Sequence, residues 1–196
     1  MQSDPFPVVA LVGSAGGLEA VVEVVSRLPA NFGAAVIVLI HLDPEHRSLL
    51  TEIIAPRSKL PVTTAEDGMQ LEPGHMLVVP SATHLLVARE GEILKVVRFV
   101  SGAYPPSRPS ADLLLATLAT GAGRRAIAVI LSGGGHDGAT GATAVHACGG
   151  TVLATDETSS GSFSMPLAAI EREHAVDRVL PLREIAGALE ARVDTG

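Results

Sequence analysis

The sequence predicts an α/β fold: a three-layer α/β/α domain on a doubly wound, mostly parallel sheet with an antiparallel hairpin insertion. Three observations carry that expectation. Short apolar runs rich in β-branched residues recur along the chain, helix-like segments alternate with them, and each run is apolar at nearly every position, as in strands buried on both faces. With 196 residues and 47% hydrophobic content the chain is ample for one packed core and short for two. Residues 1–196 are therefore expected to form a single domain, its core spanning about residues 8–189.

The first strand is expected at Val8 to Val12, followed by the glycine loop Gly13-Ser14-Ala15-Gly16-Gly17 and a helix from Leu18 to Leu28. A second strand, Ala34 to Ile40, precedes a helix from Ser48 to Ala55. In the middle, His75 to Pro80, His84 to Arg89 and Glu92 to Val100 form short strands around the turn signals PSAT and EG, which predicts the antiparallel insertion. The proline-rich SGAYPPSRPS reads as an ordered surface loop entering a helix at Ala111 to Thr120. Strands at Ala126 to Leu131, Thr151 to Ala154 and, more weakly, Ala175 to Leu180 then alternate with helices at Ala139 to Ala147, Pro166 to Glu171 and Arg183 to Ala191.

Composition removes several function classes. A formal charge of −7 with scattered basic residues leaves no footprint for nucleic acid or an anionic membrane surface. The N-terminus MQSDPFP has no basic region or hydrophobic signal core, and the apolar runs fall well short of the ~18 residues that span a bilayer, so no membrane insertion and a cytoplasmic location are expected. The single cysteine, Cys148, excludes an internal disulfide framework and reads as buried packing.

In an open parallel sheet, ligands bind beyond the carboxyl ends of the strands. Strand one ends in Ser14, strand two in His41, and the run ending at Leu131 leads into Ser132-Gly133-Gly134-Gly135-His136-Asp137. Serine, histidine and aspartate at one edge are what a serine hydrolase needs: a hydroxyl activated by imidazole, whose tautomer and developing charge a carboxylate fixes. The glycines permit tight strand-to-helix turns and let backbone N–H groups approach an oxyanion. Ala15, Gly16, Gly134 and Gly135 are the candidate oxyanion or substrate loops.

Each residue also has a plainer reading. Ser14 serves equally as a turn residue before the Leu18 helix; a phosphate loop fits poorly, because neither G-x-G-x-x-G nor G-K-[ST] is present, and the G-x-S-x-G elbow is half met, with Val12 in place of the first glycine. His41 suits core packing, or a metal site with Asp43 and His46, although Pro44 interrupts that spacing. His136 is a competing base. Asp137 alone reads as a cap of the Ala139 helix, and Asp156 and Glu157 also follow a strand end, so spacing leaves the acid open. His75, His84, His146 and His174 read as surface or packing residues.

Taken together, VGSAGGLEA, the strand-end His41, PSADLLLATLA, ILSGGGHDGATG, DETSSGSFSMPLAAI and AVDRVLPLREIA resemble, in that order, the catalytic domain of CheB-type chemotaxis receptor protein-glutamate methylesterases. The resemblance implies a hydrolase that cleaves γ-glutamyl methyl esters on chemoreceptor or related signalling-protein helices, releases methanol and in many members deamidates glutamines. It carries the nucleophile onto Ser14, the base onto His41 and the acid onto Asp137, and implies no metal or organic cofactor. Where family members commonly have Ser-Thr-Gly-Gly, Gln-His-Met and Gly-Met-Gly, this chain has Ser14-Ala15-Gly16-Gly17, Ile40-His41-Leu42 and Gly133-Gly134-Gly135. Those departures motivate the alternative of a catalytically weakened regulatory module that binds signalling-protein helices. The family's usual receiver domain is expected to be absent, since the first catalytic strand begins at Val8, so a separate regulatory protein or domain is a further expected partner.

Overall fold

The computed structural model describes residues 6–41, 48–100 and 109–195. Asp43, His46 and most of the SGAYPPSRPS segment lie outside the described residues.

Seven parallel strands form the central sheet in the order β3-β4-β2-β1-β7-β8-β9. These are β1 (Val8–Gly13), β2 (Ala35–Ile40), β3 (Val62–Thr64), β4 (Met76–Val78), β7 (Ala126–Ile130), β8 (Thr151–Thr155) and β9 (Arg178–Leu180). The two remaining strands, β5 (His84–Glu90) and β6 (Ile93–Phe99), make a separate antiparallel hairpin. Helices α1 (Gly17–Arg27), α2 (Leu50–Ile54), α3 (Ala111–Ala122), α4 (Ala139–Ala147), α5 (Ser164–Ile170) and α6 (Leu182–Asp194) cover the sheet.

The apolar strands are explained by their burial: β1, β2 and β7 are buried at every residue. Successive side chains enter opposite cores. Val8, Ala10 and Val12 join the core shared with α3, α4, α5 and the hairpin, whereas Val9 and Leu11 join the one shared with α1, α2 and α6. β1 lies between β2 and β7, in register from Val8↔Ala35 to Gly13↔Ile40 and from Val8↔Ala126 to Val12↔Ile130. The chain leaves β1 towards β2 on one side and later returns to β7 on the other, the reversal of strand order beside which ligands bind at the carboxyl edge of such sheets.

Three expectations are corrected. Met76–Val78 is not part of the antiparallel insertion: it pairs in parallel with both β2 and β3. The strand β3, whose Val-Thr-Thr has no long apolar run, carried little sequence signal because it is a partly exposed edge. The last strand contracts to Arg178–Leu180, and Cys148 is exposed, since α4 ends at Ala147 and Cys148 falls on the solvent side of its C-terminal turn.

The hairpin does more than fill space. It lies on α3, where the Val87 N–H donates to Thr117 Oγ1 at 3.0 Å and Arg89 Nε donates to the Gly121 carbonyl at 2.7 Å. On its other side α3 packs closely against α4 through Gly141, where a Cβ would stand 2.5 Å from Leu115 Cβ and 3.1 Å from the Asp112 backbone. Gly141→Ala is accordingly expected to destabilise the domain by about 1–3 kcal/mol, the usual range for overpacking a tight contact. Urea unfolding of the two proteins checks it; equal midpoints would contradict the close-packing argument.

Candidate active site

The loop after β1 turns sharply. The Gly17 N–H donates to the Ser14 carbonyl at 2.8 Å, and Gly16, at the N-cap of α1, has φ +73°. That left-handed conformation favours glycine, and a Cβ there would also come within 2.7 Å of Ser132 Oγ. The turn leaves Ser14 half-buried at the strand end, with Ala15 and Gly16 exposed.

The neighbouring strand delivers His41 beside it. The His41 N–H donates to the Gly13 carbonyl at 3.0 Å, which extends the β1–β2 register by one residue and sets His41 abreast of Ser14. The Ser14 hydroxyl makes no hydrogen bond among the described residues, so serine and histidine are adjacent strand ends rather than a formed pair. Nucleophile–base bonds are often loose before substrate arrives.

Asp137 reaches His41 from the loop after β7. Its Oδ2 lies 2.9 Å from His41 Nε2, with side-chain exposures of only 15% and 16%. An ionised carboxylate accepts, so Nε2 carries the proton and the neutral ring keeps its lone pair on Nδ1. A histidine fixed in that tautomer is equipped to take a proton through Nδ1 and to hold the resulting charge against Asp137.

The Asp137 carboxylate has further partners that the sequence did not reveal. It accepts the Ala111 N–H at 2.7 Å, the Asp112 N–H at 2.9 Å and the Ser110 hydroxyl at 3.2 Å. It therefore sits on the N-terminus of α3, not on the Ala139 helix that follows it in sequence. Asp112 returns the arrangement: its Oδ1 accepts the Gly138 N–H at 2.9 Å and the Gly141 N–H at 2.8 Å, at the start of α4. Each carboxylate thus caps the helix that begins beside the other, satisfying otherwise unpaired N–H groups and meeting the positive end of a helix dipole.

Ser110 and His84 support this junction. Ser110 is buried, caps α3 by accepting the Leu113 N–H at 3.3 Å, and donates its own N–H to His84 Nδ1 at 3.3 Å. His84 is fully buried at the start of the hairpin, its ring 5.0 Å from that of its cross-strand partner Phe99. The insertion therefore anchors the helix end on which Asp137 rests. The packing role read for His84 is correct, but its connection to the site was invisible, because the relevant partner lies 26 residues away.

The other candidates separate from this cluster. Asp156 accepts the Ser159 N–H and the Ser159 and Thr158 hydroxyls within its own turn, and Glu157 is exposed. His136 is exposed, His146 pairs with Asp177 at 3.5 Å, and His75 meets Thr63 at 3.1 Å. Of the metal set first considered, only His41 is described, and its Nε2 is engaged by Asp137. No group of three or more His, Cys, Asp and Glu side chains gathers for a metal among the described residues, and none of the described helices is long and apolar enough to cross a membrane. Gly134 and Gly135 are exposed beyond β7, and their N–H groups, like those of Ala15 and Gly16, donate to no acceptor among the described residues.

Comparison with known proteins gives this geometry its context. The family model described as CheB methylesterase matches residues 9–189. The chain belongs to the CheB methylesterase family. A Pseudomonas aeruginosa protein-glutamate methylesterase/protein-glutamine glutaminase is 38% identical over 182 residues, 93% of this chain and 52% of the relative. A Moorella thermoacetica protein of the same description is 37% identical over 187 residues, 95% of this chain and 44% of the relative. The chain thus spans about half the length of the curated relatives it matches. The crystal structure of the Thermotoga maritima CheB methylesterase catalytic domain superposes with a TM-score of 0.90 at 33% identity, covering 95% of this chain and 98% of that one. The fold of that catalytic domain is therefore shared over nearly the whole of this chain.

Burial by itself would raise the Asp137 carboxyl, but the hydrogen bonds from His41, the Asp112 N–H and the Ala111 N–H outweigh it and hold the group below the ordinary aspartate range. A carboxyl lowered on folding contributes stability that is present above its unfolded pKa of about 4 and disappears as pH falls through the lower folded value. Melting temperature followed from pH 6 to pH 3 should accordingly fall more steeply for the parent than for Asp137→Asn, which has no proton to take up. Parallel curves would remove the carboxylate as a pH-dependent support.

Proposed function

We propose that the chain is a serine hydrolase that demethylates γ-glutamyl methyl esters on a chemoreceptor or related signalling protein, with Ser14 as nucleophile, His41 as base and Asp137 as the carboxylate partner of His41. The observation that carries the reading is the 2.9 Å contact of Asp137 Oδ2 with His41 Nε2, which leaves Nδ1 as the unprotonated nitrogen of a histidine whose strand end lies beside that of Ser14. Family membership and relatives described as protein-glutamate methylesterases support the choice of ester.

Ser14 Oγ attacks the ester carbonyl as His41 Nδ1 takes its proton, and Asp137 stabilises the imidazolium. The tetrahedral oxyanion collects N–H groups from the Ala15-Gly16 and Gly134-Gly135 loops. Collapse expels methoxide, which leaves as methanol with the proton from His41. Water then enters, gives a proton to His41 and attacks the acyl-enzyme; collapse frees Ser14 and a glutamate carboxylate. Attack on a glutamine side chain by the same sequence releases ammonia, the deamidation named for the relatives. The chemistry uses no cofactor. The protein's place is the cytoplasm, where the methylated helices of such receptors are exposed.

Ser14→Ala is expected to abolish methanol release from methylated receptor helices and labelling by a fluorophosphonate while leaving the melting temperature close to the parent's. Release at near-parental rate would overturn the nucleophile assignment. A folded parent that neither labels nor releases methanol would favour the binding module instead.

The departures at Ala15 and Gly134 give a second test. A Cβ at Gly134 meets no atom within 4 Å and its φ is not left-handed, so a larger residue fits there without strain. The double change Ala15→Thr and Gly134→Met, which restores the commoner family residues and stiffens the loop, is expected to raise kcat several-fold, about 1 kcal/mol of transition-state stabilisation, with KM little altered. A change confined to KM would show that these positions act on binding.

A further inference from the structure

Ser132, the first residue beyond Leu131, has no role in the chemistry just described, yet it is only 2% exposed and sits where three loops meet. Its carbonyl accepts the Ser14 N–H at 3.0 Å. Its hydroxyl donates to the Ala15 carbonyl at 2.7 Å and accepts the Ser162 N–H at 2.9 Å. The loop after β1, the loop after β7 and the loop after β8 are thus tied together through one side chain. Above it, Gly16 and Gly161 approach closely enough that a Cβ on Gly16 would lie 2.7 Å from the Ser132 hydroxyl and 3.6 Å from the Gly161 Cα.

The consequence lies in the peptide joining Ala15 to Gly16. In a planar trans peptide the C=O and the following N–H point in opposite directions. A carbonyl drawn inward to a buried hydroxyl therefore turns the Gly16 N–H outward, and Gly16 is exposed at the N-terminus of α1. The facing loop has the same construction. The Gly133 carbonyl accepts the Met165 N–H at 2.9 Å, which turns the Gly134 N–H away from the core, and the Gly133 N–H is itself tied to the Ser162 carbonyl at 2.9 Å. Ser162, held by the Ser132 hydroxyl, thus links the anchoring of both loops.

Resting on the hydrolase reading above, we infer that Ser132 is a positioning residue: its buried hydroxyl, by holding the Ala15 carbonyl and the Ser162 N–H, aims backbone donors of the two loops at the oxyanion. It touches neither substrate nor His41. Its loss should therefore act on the step in which charge develops and not on substrate binding. This separates it from Asp137, whose loss acts on the base.

The test compares the parent with Ser132→Ala, Ser132→Thr and Ser14→Ala. The rate of Ser14 labelling by a fluorophosphonate, whose phosphonyl oxygen needs the same donors, is read beside kcat and KM for methanol release. Ser132→Ala is expected to slow labelling and lower kcat about tenfold or more, with KM and the pH dependence of the rate unchanged. Ser132→Thr keeps the hydroxyl, has the side-chain-free Gly16 and Gly161 beside it, and should recover most of the loss. A labelling rate in folded Ser132→Ala within about threefold of the parent's, an equal loss in Ser132→Thr, or a lower melting temperature with unaltered labelling would overturn the proposal while leaving the hydrolase reading intact. If the parent labels at Ser14 but releases no methanol, the ester assignment fails and Ser132 is still judged on labelling rates. A parent that does not label at all would overturn both.

Discussion

The arrangement depends on two carboxylates that each hold the other's helix. Asp137 follows β7 and caps α3, while Asp112 opens α3 and caps α4, the helix that Asp137 precedes. Neither helix has a side chain of its own better placed to satisfy those N–H groups, apart from Ser110 on α3. A buried carboxylate is costly unless it is fully hydrogen-bonded, and Asp137 meets that condition with two backbone N–H groups, one hydroxyl and one imidazole. The contact to His41 is thus one spoke of a structure that would hold Asp137 in place without it. Orienting the histidine is a small addition to a carboxylate already fixed by the helix ends.

This helps to explain the hairpin. An isolated two-stranded ribbon is barely stable, but here it is laid along α3, and its first residue, His84, lies beneath Ser110 at the helix start. The insertion and the Gly141 contact with α4 hold α3 from opposite sides. A lateral shift of that helix would move Asp137 and, through it, the imidazole.

Much of this was legible in sequence where the signal is local. Runs such as AVIVLI and AIAVI predict buried strands, and a topological argument then brings Ser14, His41 and Asp137 to one edge. What was not legible is relational. Asp137 looks like a local helix cap because the pattern Asp-Gly before an apolar helix usually is one; that it caps a helix 25 residues earlier depends on how α3 and α4 pack. Ser132 looks like one more small residue in a glycine loop until its neighbours across 30 and 117 positions are known. The stretch His75 to Pro80 reads as part of the insertion because a short strand before the turn signal PSAT looks like a hairpin arm, whereas the parallel pairing of Met76–Val78 is set by β2 and β3.

The His41–Asp137 contact joins residues 96 positions apart, across parallel strands that cannot pair until the crossovers between them have closed. Such non-local sheets form late and slowly. A chain emerging from the ribosome presents its serine and histidine long before residue 137 has been made, and with them no fixed tautomer and no capped α3. Nascent and partly folded forms thus hold a histidine without its carboxylate partner, and the two come together only in a finished sheet.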